Sequence, residues 1–203
     1  KRMEDYEHGS NDLRSQGGPL KVSMATDEGP LYDALGDAAT ELGIPHNPDY
    51  NGVSQEGIVR TQTTISNGVR MSTARCYLKP IKNRKNLRIE TGAHTQKVIM
   101  EGKRCVGVDY HCKGKTIRAK ASKEVIICTG GVASPQLLEL SGIGQPELLR
   151  SHGIKIEHEL MGVGEHLRDH INAPIKFHMK RGDLSYNKRM QGLGPAWQVL
   201  RYL

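Results

Sequence analysis

The chain has 203 residues, 36% hydrophobic and 25% charged, with 23 glycines, a composition that supplies a sizeable core and excludes disordered and collagen-like classes. Its longest wholly aliphatic run, Val125-Ile126-Ile127, falls far short of a spanning helix, so no transmembrane segment is expected. The net charge of +7 admits a nucleic acid, an anionic surface or a phosphate-bearing ligand, and chemistry elsewhere has to choose among them.

The densest basic stretch, Lys79, Lys82, Arg84, Lys85 and Arg88, is interrupted by Asn and Pro and has one aromatic neighbour, Tyr77. Base stacking needs aromatic platforms, and an aromatic content of 4% provides few, so the stretch reads as a solvated loop and no nucleic-acid partner is expected. Cys76, Cys105, Cys112 and Cys128 contain no C-x-x-C pair, and reduced thiols of a cytoplasmic protein are the expectation. No Met precedes Lys1 and no charged-then-apolar leader opens the chain, which reads as a processed N-terminus or a slice of a longer polypeptide.

In chain order, Gly17-Gly18-Pro19 leads into Leu20 to Met24, whose alternation predicts a half-buried strand. Pro30 at a first helical position, the stripe Leu31, Leu35, Ala38, Ala39 and Leu42, and the stop at Gly43 and Pro45 predict a helix packed on a sheet. Turn signals crowd residues 46–70, among them Asn51-Gly52 and Asn67-Gly68. Ser72 caps a predicted short helix over Thr73 to Leu78 that Pro80 ends. The period then changes to two. Leu87 to Thr91, Lys97 to Glu101, Cys105 to Tyr110, Thr116 to Ala121 and Glu124 to Cys128 read as strands, and the last, lacking alternation, reads as buried on both faces. Thr129-Gly130-Gly131 follows, then a helix with Ser134 as its cap and Pro135 at its first position, closed by Gly142. A two-turn helix from Pro146, a strand at Ile154 to Ile156, another at Ala173 to Met179 and a helix from Ala196 complete the pattern.

Strand, glycine turn and capped helix together form a dinucleotide-type turn, because glycines admit a ligand against the backbone and the helix start offers free N–H groups to an anion. The full G-x-G-x-x-G spacing is absent, and a tight turn without a ligand explains the residues equally well. His166 and His170 stand four apart beside Glu165 and Asp169, but the order is not H-E-x-x-H and no third ligand is evident, so no metal is expected. Ser141 lacks the G-x-S-x-G elbow, which leaves serine nucleophile chemistry without support.

The run from Gly130 to Gly144, GGVASPQLLELSGIG, resembles the second signature of the glucose-methanol-choline (GMC) oxidoreductases, FAD-dependent alcohol dehydrogenases and oxidases. Gly131 stands where Ser, Ala, Thr or Pro is usual. The order of the remaining motifs agrees along essentially the whole chain: Asp49-Tyr50-Asn51-Gly52, Gln55-Glu56-Gly57, Asn67-Gly68-Val69-Arg70, Ser72-Thr73-Ala74, and Gly162-Val163-Gly164-Glu165-His166-Leu167-Arg168-Asp169-His170. The resemblance implies a mixed α/β fold, a partial Rossmann-type FAD-binding domain with a β-meander, interleaved with part of an antiparallel-sheet substrate domain. It assigns 1–60 and 171–203 to the substrate part and 61–170 to the FAD part.

It also implies that Thr95, with His94 beside it, bonds the adenine of FAD through its backbone, that Gly130, Gly131 and Ser134 lie by the ADP moiety, and that His170 and Asn172 lie near flavin and substrate. The family's pyrophosphate-binding glycine motif and its catalytic His have no counterpart within residues 1–203, so no catalytic residue is expected in this chain and the base is expected beyond Leu203. The chain resembles choline dehydrogenases, whose choline-active members carry Glu where Asn172 stands; losing that carboxylate removes a counter-charge for a quaternary cation and favours another primary alcohol. Oxygen and a quinone-type acceptor both stay open as electron acceptor. A non-catalytic nucleotide-binding module built on the same fold is the rival expectation.

Overall fold

The computed structural model describes residues 2–25, 29–176, 178, 180, 182, 187 and 190–202, and it divides into two units, Lys1–Arg88 with Ile175–Leu203, and Ile89–Pro174.

In the first unit, strand β1 (Glu4–Tyr6) runs parallel to β2 (Leu20–Met24), which pairs antiparallel with β3 (Gln62–Thr63). Arg14 is buried among them at 4% exposure, and its guanidinium meets Glu4 Oε1 at 2.8 Å, Asp49 Oδ1 at 3.5 Å and Gln62 Oε1 at 3.1 Å. Its Cζ lies 3.9 Å from the centroid of the Tyr6 ring, a cation–π contact in a desolvated setting. Gln62 Nε2 and the Asn51 amide N–H donate to the same Asp49 carboxylate, so the Asp49-Tyr50-Asn51-Gly52 motif is tied to β3 through side chains. Burial raises the Tyr6 phenol above its ordinary pKa, and the neighbouring Asp49 charge adds to the shift. The turn-rich region resolves into the hairpin β4 (Ile65–Ser66) and β5 (Val69–Arg70), closed at Asn67-Gly68 as its turn chemistry requires.

Helix α1 (Pro30–Glu41) begins at its proline as predicted, but it packs differently from expectation. Ala39 is its one buried residue, while Leu31, Leu35 and Leu42 of the apolar stripe are exposed, so the face drawn for a sheet stays open among the described residues. The short helix after Ser72 is a π-turn, Ala74–Leu78, in which Ser72 accepts the Arg75 amide at its Oγ and the Cys76 amide at its carbonyl. Pro80 does not end it. A 3₁₀ turn, Lys79–Ile81, carries on through the proline, which at the start of a turn has no N–H to miss.

The second unit is built on an antiparallel meander, β6 (His94–Glu101), β7 (Arg104–Cys112) and β8 (Lys115–Lys120), turning at Gly102-Lys103 and Lys113-Gly114. Gly107 lets β8 close on β7, because a Cβ there would lie 2.3 Å from the Ala119 carbonyl oxygen. Asp109 on β7 accepts two bonds from Arg118 on β8, at 2.8 and 2.9 Å. Helix α2 (Gly130–Leu140) packs on β6, with Leu137 and Val98 buried. A parallel pair, β9 (Ile143–Gly144) with β10 (His158–Glu159), frames helix α3 (Pro146–Ser151), whose Leu149 is almost wholly buried.

Three of the five strands expected between Leu87 and Cys128 therefore form. Leu87–Thr91 and Glu124–Cys128 have no pairing partner among the described residues, and Ile126 is 75% exposed where a doubly buried strand was expected. The apolar run has the composition of a central strand but no strand partner among the described residues, so Val125 and Ile127 are only half-buried and the opposite face stays exposed. The parallel pairing falls on His158–Glu159 instead of Ile154–Ile156, since Glu157 and His158 donate to the Gly142 carbonyl and carry the chain past β9. Residues 173–176 carry no strand, and Phe177 and Met179 lie outside the described residues. A last helix, α4 (Gly194–Tyr202), covers the C-terminal helical pattern. No helix among the described residues is long and apolar enough to cross a membrane. The four cysteines are free thiols.

Candidate cofactor site

Every site residue expected from the sequence lies in the second unit, Ile89–Pro174. His94 and Thr95 open β6, opposite His111 and Tyr110 of β7; Thr95 is half-buried and His94 exposed. Both stay paired with β7 ahead of a register irregularity between Thr95 and Lys97, and because β6 pairs with β7 alone, the other edge of the strand start has no strand partner among the described residues.

At α2 the helix starts earlier than its cap residues suggest. Thr129, not Ser134, occupies the cap position, Pro135 lies inside the helix, and the Gly131 carbonyl consequently loses its usual donor four residues on. Thr129 Oγ1 and Ser134 Oγ are 3.0 Å apart, so the hydroxyl expected to cap the helix bonds across its first turn. Gly130 has φ +88, a conformation that excludes most side chains, and a Cβ on Gly130 or Gly131 would meet nothing within 4 Å. The opening turn thus has no side-chain cap, carries the partial positive charge of a helix start, and faces open space. That donor set suits a phosphate or a ribose hydroxyl.

A hydroxyl relay at the end of this helix ties it to the strand that carries Thr95. The Val98 amide donates to Ser141 Oγ at 2.9 Å, and Ser141 Oγ donates to the Leu137 carbonyl at 2.6 Å, both buried. Sequence reading tested Ser141 only as a nucleophile and missed this role; the signal was its place at the end of an apolar helix followed by glycine. The loop Gly162-Val163-Gly164-Glu165 is pinned by buried Val163, and Glu165 Oε1 accepts Gln145 Nε2 at 2.5 Å. His166 follows with φ 59, a left-handed conformation rare for a side chain of its size. His170 is exposed and its amide donates to the Asp169 carboxylate at 2.7 Å; Asn172 is exposed on a segment without regular structure. Helix α2 and strand β6 thus pack together, while His170 and Asn172 lie on a segment without regular structure in the same unit, with no side-chain partner to either among the described residues. Among the described residues no group of three or more His, Cys, Asp or Glu could hold a metal ion.

The family model described as GMC oxidoreductase matches residues 1–172. Oxygen-dependent choline dehydrogenase 1 of Chromohalobacter salexigens is 45% identical over 183 residues, 89% of this chain and 33% of that protein. The oxygen-dependent choline dehydrogenase of Escherichia coli K12 is 41% identical over 184 residues, with the same shares. Among solved structures, pyridoxine 4-oxidase from Mesorbium loti superposes with a TM-score of 0.73 at 29% identity, over 78% of this chain and 31% of that one. An FAD-dependent oxidoreductase from Chaetomium thermophilum gives 0.73 at 26% identity, over 79% and 30%. The chain spans about a third of the length of the curated relatives it matches. The mixed helices and small sheets are those of a partial Rossmann-type fold, and FAD is the cofactor that goes with it. A helix start without a side-chain cap, glycines open to a ligand and a strand with one unpaired edge fit that cofactor, and the chain belongs to the GMC oxidoreductase family.

Proposed function

We propose that the protein containing this chain oxidises the CH–OH group of a primary alcohol to the aldehyde, and that residues 89–174 hold the ADP half of FAD. On this reading the backbone of Thr95, beside His94, bonds the adenine, while Gly130, Gly131, Ser134 and the first amides of α2 hold the ADP moiety. When bound, FAD supplies the acceptor for the hydride that leaves the carbinol carbon, and the hydroxyl proton passes to a histidine outside residues 1–203. His170 and Asn172 border the alcohol. Asn172 offers a neutral amide and no carboxylate, which suits an uncharged alcohol better than a quaternary ammonium. The turn at Gly130-Gly131, open in front and without a side-chain cap, is the observation that carries the reading.

The test is a flavin titration of the intact protein followed by an alcohol panel that includes choline. Gly131→Leu fills the space before α2 and should weaken FAD binding by about tenfold or more, whereas Thr95→Ala, which keeps the backbone, should leave it unchanged. Neutral primary alcohols should exceed choline in kcat/KM, and Asn172→Glu should shift the ratio toward choline. A protein without flavin absorbance, or one that prefers choline, overturns the corresponding half of the proposal.

A further inference from the structure

Strand β8 has one edge that nothing in the described chain covers. It pairs with β7 alone, and all six of its residues are exposed. The Ala121 amide donates to the Val106 carbonyl at 2.8 Å, so positions 119, 117 and 115 turn their peptide groups toward β7, and Thr116, Arg118 and Lys120 turn theirs outward. Those outward N–H and C=O groups form a ladder ready for another strand.

Charge decides which strand. Between His94 and Lys123 the only carboxylates are Glu101 and Asp109, and Arg118 occupies Asp109. Lys103, Lys113, Lys115, Lys120 and Lys123 take part in no ion pair among the described residues. Two copies of the chain cannot use the edge on each other: antiparallel pairing about its centre places Lys115 against Lys120 twice, and parallel pairing in register places each lysine on its own copy. Nucleic acid is disfavoured too, because Tyr110 is the single Phe, Tyr or Trp between His94 and Lys123.

We propose that the outer edge of β8 accepts an extended acidic segment of another protein as a fourth strand of the meander. Backbone bonds at Thr116, Arg118 and Lys120 hold the segment, and Lys115 and Lys120 select acidic side chains. The surface lies two strands from Thr95 and is independent of the alcohol reading.

The probe is a synthetic peptide of about eight residues repeating Glu-Glu-Val-Val, which sets acidic side chains on both faces of the added strand as Lys115 and Lys120 on opposite faces of β8 require, titrated into the intact protein beside a peptide of equal charge N-methylated at alternate residues. Saturable binding is expected, weakened about tenfold or more by N-methylation, by Lys115→Glu with Lys120→Glu, and by Thr116→Pro, with slowed hydrogen exchange at the amides of Thr116, Arg118 and Lys120. Thr116→Pro removes an outward donor, keeps every charge and leaves the bonds to β7 in place, so unchanged flavin absorbance serves as its folding control. No peptide binding overturns the proposal. Equal binding of the N-methylated peptide or of vesicles containing phosphatidylserine, with no effect of Thr116→Pro, overturns it in favour of a diffuse polyanion surface.

Discussion

Arg14 concentrates the electrostatics of the first unit in one side chain. It is buried with two carboxylates and an aromatic face around it, so removing it leaves Glu4 and Asp49 without their counter-charge in a poorly solvated interior. Arg14→Met should therefore lower stability by about 3 kcal/mol, and Arg14→Lys by less, since the charge stays while the fork and the ring contact go. Denaturant unfolding of the intact protein checks both. Asp109 is also buried, but its partner Arg118 is largely exposed, and the worth of that pair is read through pH. Hydrogen bonds from the Arg118 guanidinium hold the Asp109 carboxyl below the ordinary carboxylate value, with burial opposing and the Arg118 and Lys97 charges adding to the shift. A lowered folded-state pKa contributes stability that is complete above the unfolded value, about 3.9, and is lost as pH falls through the folded one. Asp109→Asn should flatten the acid limb of a plot of melting temperature against pH and leave the neutral region lower and unsloped; an unchanged acid limb would show that the pair carries no linkage.

At the scale of elements, two backbone positions invite tests. Gly107→Ala drives a methyl into the Ala119 carbonyl and should cost about 1–3 kcal/mol by forcing β8 away from β7, visible as faster hydrogen exchange in β8. His166 holds a left-handed φ that Asn tolerates better, and His166→Asn should raise stability by about 0.5 kcal/mol in a thermal melt. Local chemistry explains which elements were legible in the sequence. Pro30 marked the start of α1, and Gly102-Lys103 and Lys113-Gly114 marked both hairpins of the meander, because turn and cap preferences act within a few residues. Glu124–Cys128 was misread because strand formation needs a partner that composition does not supply, and the start of α2 was misread because two good cap residues, Thr129 and Ser134, compete and bond to each other. Of the candidate site, the glycine turn before a helix was legible. The Ser141 bridge was not, because a hydroxyl that joins two elements has no spacing rule.

For the whole molecule, the open faces matter as much as the packed ones. Leu35 at 59% and Ile126 at 75% exposure sit on segments whose patterns call for cover, so residues 1–203 expressed alone should self-associate. Ile126→Lys should reduce that association in light scattering over a concentration series, and no change would place the sticky surface elsewhere. The division of the chain carries a further consequence, for the order of assembly during synthesis. Residues 89–174 form an unbroken stretch, whereas the unit that precedes them in sequence resumes only at residue 175. A ribosome emits residues 89–174 before residues 175–203, so the meander and α2 can reach their mutual contacts while that later segment is still unsynthesised. Once folded, that stretch is a shorter effective loop than 86 free residues would be, which lowers the entropy cost of bringing residues 175–203 to the segment before residue 89.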